Sequence, residues 1–201
     1  MARLVEGAGP RLSLALVLAF GGTALGVLAL RGQDRLLAVE DFAPQIQAAA
    51  REAGIEPWLL AGLVYTESRG DPEARSSIGA LGLCQLHPET AAEMAARLGL
   101  GDPPWTPAEN LRMGAHYLAG LLDRFGSDLD LALLAYRLGP GTVARALREA
   151  GGRDAWIARL RGERSGPWEY RTQVLRFTER FRERAGAGIG WPAAEAGEDP
   201  P

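Results

Sequence analysis

The sequence predicts an all-α fold on three observations. Apolar residues recur with helical spacing from about residue 42 to residue 185. No stretch of convincing length alternates as a strand would. Prolines stand where helices begin and glycines where they end. The chain has 201 residues, 47% of them apolar, which is enough for one compact domain and too short for two ordinary ones.

Taken in order, residues 12–30 (LSLALVLAFGGTALGVLAL) carry no charge. A bilayer core takes about 20 residues of helix, so this run is long enough to span it. Two readings compete. The length favours an uncleaved inner-membrane anchor over residues 1–31. A signal peptide, cleaved near Ala24-Leu25-Gly26 so that residues 1–26 are removed, is the other. A buried core helix is the plain alternative. Arg3 and Arg11 before the run balance Arg31 and Arg35 after it, so charge does not orient it. Residues 32–41 read as a tether.

Residues 42–53 form the first expected helix, ended by Gly54. Pro57 opens a second, apolar one that runs to Ser68 and is broken by Gly70-Asp71-Pro72. Residues 70–85 are the long non-helical segment, and such segments carry chemistry more often than the elements they join. Pro88 opens a helix to about Leu98. Residues 102–107 are a loop with three prolines. Gly114, Tyr117, Leu118, Leu121, Leu122 and Phe125 give the clearest helical stripe of the chain. Residues 129–138 form a shorter helix stopped by Gly139-Pro140-Gly141, and Thr142 is placed to cap the next, to about Ala150. Residues 168–184 are the last helix. Residues 186–201, rich in Gly, Ala, Pro and acid, read as a disordered tail.

Composition excludes several classes. The formal charge is −3, which argues against a nucleic-acid binder. One Cys and two His build neither a disulfide framework nor an ordinary His/Cys zinc site, so no metal and no cofactor are expected. All 22 basic residues are Arg. Residues 145–184 hold 11 of them against six acids. That surplus reads as a solvated face laced with ion pairs, or else as attraction to anionic lipid or cell-wall polymer.

Glu67 is the residue with chemistry. Leu60, Leu63, Val64 and Glu67 fall at i, i+3, i+4 and i+7, so the carboxyl projects on an apolar stripe. It also sits in the last helical turn, where the helix dipole is negative. Desolvation and dipole both raise its pKa, as a general acid requires. The plain alternative is a surface Glu paired with Arg69 or Arg75. Asp71, the nearest other acid, precedes a proline at a break and reads as a turn residue.

The segment Glu67-Ser68-Arg69-Gly70-Asp71-Pro72-Glu73-Ala74-Arg75-Ser76-Ser77-Ile78-Gly79-Ala80-Leu81-Gly82-Leu83-Cys84-Gln85, followed by Pro88-Glu89-Thr90-Ala91, resembles the SLT domain of lytic transglycosylases, glycoside hydrolase family 23. Asn110-Leu111 with Gly114 and Tyr117-Leu118 is similar to that family's Asn-Ile-x-x-Gly-x-x-Tyr-Leu. Ala135-Tyr136-Arg137-Leu138-Gly139-Pro140-Gly141 is similar to its Ala-Tyr-Asn-Ala-Gly-Pro-Gly. Tyr170 with Val174-Leu175 fits a late Tyr-x-x-x-Val-Leu. The words stand in the family's order over residues 42–182.

The resemblance implies a lysozyme-like fold with a glycan-binding groove. It implies cleavage of the β-1,4 bond between N-acetylmuramic acid and N-acetylglucosamine in peptidoglycan. One Glu acts as acid and then as base, closing a 1,6-anhydro ring without water. By position Glu67 is that residue. Ser68, Ser76, Gly79, Gly82, Gln85, Tyr136 and Tyr170 are the implied substrate-binding set, with Tyr136 orienting the Glu. The implied setting is the periplasmic side of the inner membrane, with a cell-wall or secretion complex as a further partner. A muramidase on the same fold, which needs a second carboxyl about 5–9.5 Å away, and a non-catalytic peptidoglycan-binding scaffold are the alternatives. Two residues depart from the pattern. Cys84 replaces a Met and reads as a pocket or core wall rather than a nucleophile with His87. Arg137 replaces an Asn and brings charge toward the groove, where a lactyl or peptide carboxylate is one partner and solvent another. His87 and His116 read as plain polar residues.

Overall fold

The computed structural model describes residues 35–191. Eight helices follow one another: α1 (Ala43–Ala53), α2 (Pro57–Glu67), α3 (Pro88–Arg97), α4 (Pro107–Arg124), α5 (Leu129–Leu138), α6 (Pro140–Ala150), α7 (Arg153–Gly162) and α8 (Gly166–Gly186). Among the described residues there is no strand, only isolated bridges of Leu81 with Arg75 and Leu86. The apolar run 12–30 lies outside the described residues. None of the described helices is long and apolar enough to cross a membrane.

Helix α2 is the centre. Residues Leu59 through Tyr65 are all buried, so this helix is apolar on every side rather than along one stripe. It packs most extensively on α8. The two approach at Gly62. A Cβ there would meet the Thr178 hydroxyl at 2.5 Å, the Thr178 backbone nitrogen at 2.6 Å and the Val174 carbonyl at 2.7 Å. Two of those three atoms are backbone, so the neighbour has no rotamer to escape into. Around this pair, α1 packs on α4, and α5 packs on α4, α6 and α8.

The helix ends follow local chemistry. Proline occupies the first turn of α1, α2, α3, α4, α6 and α8. Thr106 and Glu109 form a reciprocal capping box on α4, ahead of the stripe that begins at Gly114. Asp128 caps α5 through the Leu131 nitrogen at 3.1 Å. Gly139, at φ 84° and ψ 141°, ends α5 and also precedes α6. Thr142 therefore lies inside the first turn of α6 and does not cap it.

Three expectations change. Residues 35–40 are helical, not a tether; Leu36 and Val39 sit in the core. Buried Glu40 there accepts two bonds from Arg184 of α8, at 2.6 and 2.7 Å. Helix α7 went unforeseen. Its Trp156, Ile157 and Leu160 are buried, but four charged residues crowd the same ten positions and mask the period. The tail begins later than residue 186, since Gly186 closes α8 and Trp191 packs edge-on against Trp58 at 4.7 Å. Residues 192–201 lie outside the described residues.

Gly62→Ala is expected to cost about 3 kcal/mol through overpacking, a fall of roughly 6–12 °C in Tm. Gly120→Ala, with nothing within 4 Å of its added Cβ, should instead stabilise by up to about 1 kcal/mol. Circular dichroism melts check both. An unchanged Tm for Gly62→Ala would contradict the close approach.

Candidate active site

Glu67 is the last residue of α2, and Tyr170 stands one turn into α8. The α2–α8 contact brings them together: the Tyr170 hydroxyl donates to Glu67 Oε1 at 2.6 Å. Tyr170 is itself buried, so the bond is held away from solvent. Glu67 pairs with neither Arg69 nor Arg75. The Arg69 guanidinium instead lies 6.0 Å from the Tyr65 ring.

Two cavities meet at this carboxyl. One, of about 760 Å³, runs along α8 past Tyr170, Gln173 and Arg176. The other, of about 330 Å³, runs past Ala80, His87, Tyr117 and Tyr136. Glu67, Ser76, Gln85, Arg137 and Leu138 line both. The result is a groove with one half-buried carboxyl at its middle.

Burial raises the Glu67 pKa above its ordinary value of 4.5. The Tyr170 hydrogen bond and the positive charge of Arg137 oppose this, but burial is the largest influence. Tyr170 is pushed well above its ordinary value, first by burial and then by the Glu67 charge, so it remains a proton donor.

The loop after α2 forms the groove wall. Asp71 accepts from the Glu73 nitrogen at 2.9 Å, a turn role as expected. Ser76 accepts from the Ala80 nitrogen at 3.0 Å and tightens the loop beneath the groove. Gly79 and Gly82 both take positive φ, 85° and 73°. At Gly82 an added Cβ would strike the Asn110 side chain at 2.8 Å. Buried Asn110 is the loop's clasp: its oxygen accepts from Cys84 N at 2.8 Å and its nitrogen donates to Leu81 O at 3.2 Å. Gln85 donates its side-chain nitrogen to Ala74 O and Gly82 O, both at 3.0 Å, which leaves its amide oxygen as an acceptor.

Several expectations are revised here. Tyr136 does not orient Glu67; its hydroxyl donates to Cys84 O at 2.9 Å and holds the loop. Tyr170 takes the orienting place. Ser68 lines neither half of the groove. Its hydroxyl donates to Val64 O at 3.2 Å and accepts from Gly70 N at 3.2 Å, closing the end of α2. Cys84 is wholly buried against Gly114, and burial pushes its thiol up, far from a reactive thiolate. His87 lines the smaller cavity, and His116 lies 3.3 Å from Glu52. The groove also uses Tyr117, whose ring stands 5.2 Å from Tyr136, and Gln173. Tyr117 had been visible as part of the α4 stripe, whereas no sequence signal marks Gln173. No cluster of metal-ligating side chains occurs among the described residues.

Comparison with known proteins places this geometry. The Transglycosylase SLT domain family matches residues 44–158. The chain belongs to that family. It is 44% identical over 94 residues to the transglycosylase of Enterobacteria phage PRD1, covering 47% of this chain and 33% of the phage protein. It is 30% identical over 155 residues to membrane-bound lytic murein transglycosylase F 1 of Alkalilimnicola ehrlichii, covering 72% of this chain and 29% of that protein. The lytic transglycosylase Slt of Pseudomonas aeruginosa, solved as an inactive Glu-to-Gln mutant, aligns with a TM-score of 0.62 at 28% identity, covering 72% of this chain and 24% of that one. The chain thus spans between a quarter and a third of the length of these relatives. The matched SLT segment carries Glu67, the loop clasp and Tyr136; Tyr170 lies beyond its end.

The raised Glu67 pKa makes stability depend on pH. The folded SLT domain holds this proton more tightly than the unfolded chain, so its stability falls as pH rises from about the unfolded value through the folded one. Glu67→Gln removes that loss. The melting temperature of the variant relative to wild type should therefore be highest near neutral pH and should decline on acidification toward 4.5. A difference independent of pH, or one that grows on acidification, would refute the assignment.

Proposed function

We propose that this chain is a peptidoglycan lytic transglycosylase, with Glu67 as its single acid and base. The observation that carries the reading is the half-buried Glu67 carboxyl, held by Tyr170 in the middle of a groove. Protonated Glu67 donates to the glycosidic oxygen between N-acetylmuramic acid and N-acetylglucosamine, and the C1–O bond breaks. The carboxylate left behind takes the proton of the muramoyl C6 hydroxyl as that oxygen bonds to C1. The product ends in a 1,6-anhydro ring, and Glu67 is protonated again, so the cycle closes without water. An internal nucleophile needs orientation rather than activation, which a shaped groove supplies.

Tyr170 positions Glu67 and stabilises its charged form between the two steps. Gln85 and Ser76 offer polar contacts to the sugar on both sides. Tyr136, Gly79 and Gly82 act through the loop they shape, and Ser68 through the end of α2.

One observation favours hydrolysis as a second reading. Glu169 also lines the larger cavity, a second carboxyl beside Glu67 in its lining. It is exposed and stands 4.0 Å from the Arg164 guanidinium, a poor setting for activating water. A scaffold with a degenerate site has less support, since the Cys84 departure is absorbed by packing against Gly114.

The relatives named as membrane-bound support a place in the cell envelope. We assign residues 12–30 the role of anchor, holding the domain on the periplasmic side of the inner membrane. Cleavage of that segment would release the domain to the periplasm. A cell-wall or secretion complex is the expected further partner.

The test is digestion of purified peptidoglycan by the full chain in detergent, with products read by mass spectrometry. Ends carrying 1,6-anhydromuramic acid are expected, and Glu67→Gln should lower their yield at least about 100-fold. Reducing ends that vanish with Glu169→Gln would instead establish hydrolysis.

A further inference from the structure

The arginines of the α5–α8 region have different surroundings. Arg171 is tied to Asp130, with its Nε donating at 2.6 Å, and Arg153 bridges Asp128, Asp130 and Asp154. These fix the fold. Arg137 and Arg176 are different. Both are exposed, both line the larger cavity, and neither forms an ion pair with any described residue. Each head lies against an aromatic ring instead, Arg137 at 5.6 Å from the Tyr170 centroid and Arg176 at 5.7 Å from that of Phe177. A cation–π contact of this kind engages the guanidinium without using up its N–H donors. Free guanidinium N–H donors are what recognises a carboxylate in bidentate fashion.

The charge of the cavity agrees. Its acidic residues are Glu67, which burial inclines toward the neutral form, and Glu169, which faces Arg164. Arg137 and Arg176 are the cavity's two arginines, and neither is tied up in an ion pair among the described residues. One of them, Arg137, stands where the resembling family pattern has an uncharged Asn, so the charge belongs to this chain rather than to the shared machinery.

We infer that the larger cavity is an anionic subsite in which Arg137 and Arg176 bind a carboxylate of the glycan substrate beside the scissile bond. The inference rests on the glycan-cleaving reading and adds a selectivity to it. Peptidoglycan offers a carboxylate from two sources: the lactyl group of a bare muramoyl residue, and the stem peptide of a substituted one. Both share the chemistry that a pair of guanidinium forks reads. Arg137 lines both cavities, so the subsite begins beside Glu67, and Arg176 extends it along α8.

The experiment measures binding without turnover, using the full chain carrying Glu67→Gln. Calorimetry compares three ligands: soluble glycan strands with stem peptides, the same strands stripped by an amidase so that lactyl carboxylates are free, and a neutral N-acetylglucosamine oligomer. Adding Arg137→Gln is expected to weaken binding of a carboxylate-bearing ligand about 10-fold or more while leaving the neutral oligomer unchanged. Arg176→Gln should act in the same direction. A loss confined to the peptide-bearing strands assigns the carboxylate to the stem peptide; a loss confined to the stripped strands assigns it to the lactyl group. Either result supports the subsite. Equal losses on all three ligands, or no loss on any, would overturn it while leaving glycan binding intact. Failure of the Glu67→Gln chain to bind any of the three would overturn the glycan reading itself and the subsite with it.

Discussion

The contact of α2 with α8 at Gly62 sets everything else in the site. Because nothing larger than hydrogen fits between the Gly62 Cα and the backbone of Val174 and Thr178, the two helices lie unusually close. Glu67 lies five residues beyond Gly62 on α2, and Tyr170 lies four and eight residues before Val174 and Thr178 on α8. The close crossing therefore turns a 103-residue sequence separation into a 2.6 Å hydrogen bond. A wider crossing would leave a carboxyl at a helix end with water for a partner.

That geometry produces a balance rather than a simple burial. Desolvation favours the proton on Glu67, whereas the Tyr170 hydroxyl and the Arg137 charge favour its loss. In the proposed reaction Glu67 gives a proton and then takes one back, and such opposition serves both steps. The acid form is held by low polarity, and the base form finds a donor already in place. The loop on the other side contributes shape. Asn110, Gln85 and Tyr136 clasp it by hydrogen bonds to its backbone atoms, which accounts for the burial of the polar Asn110 side chain.

Much of this was legible in the sequence, and the misses have physical causes. Glu67 was found from its apolar surroundings, although its burial comes from a helix enclosed on all sides rather than from one stripe. The loop words mark the segment that walls the groove, in which Gly82 and Asn110 meet directly. The roles of the two tyrosines were exchanged. Which hydroxyl reaches a carboxyl depends on a helix crossing, and spacing along the chain carries no record of that. The helical stretch 35–40 was missed because Leu36 and Val39 are too few to show a period and the third buried residue, Glu40, is charged. The arginine surplus of residues 145–184 resolves in part into ion pairs, as with Arg153, Arg171, Arg182 and Arg184. Arg137 and Arg176, which form no ion pair among the described residues, are the arginines that line the larger cavity.

The central claim is that the fold itself prepares Glu67 as an acid. The direct measurement is a carbon-detected NMR titration of the Glu67 carboxyl in the substrate-free wild-type protein, assigned by its absence from Glu67→Gln spectra. The account predicts a midpoint above the ordinary 4.5, moving higher still in Tyr170→Phe, which loses the bond that favours the charged form. A midpoint at or below 4.5, or one that falls in Tyr170→Phe, would contradict it.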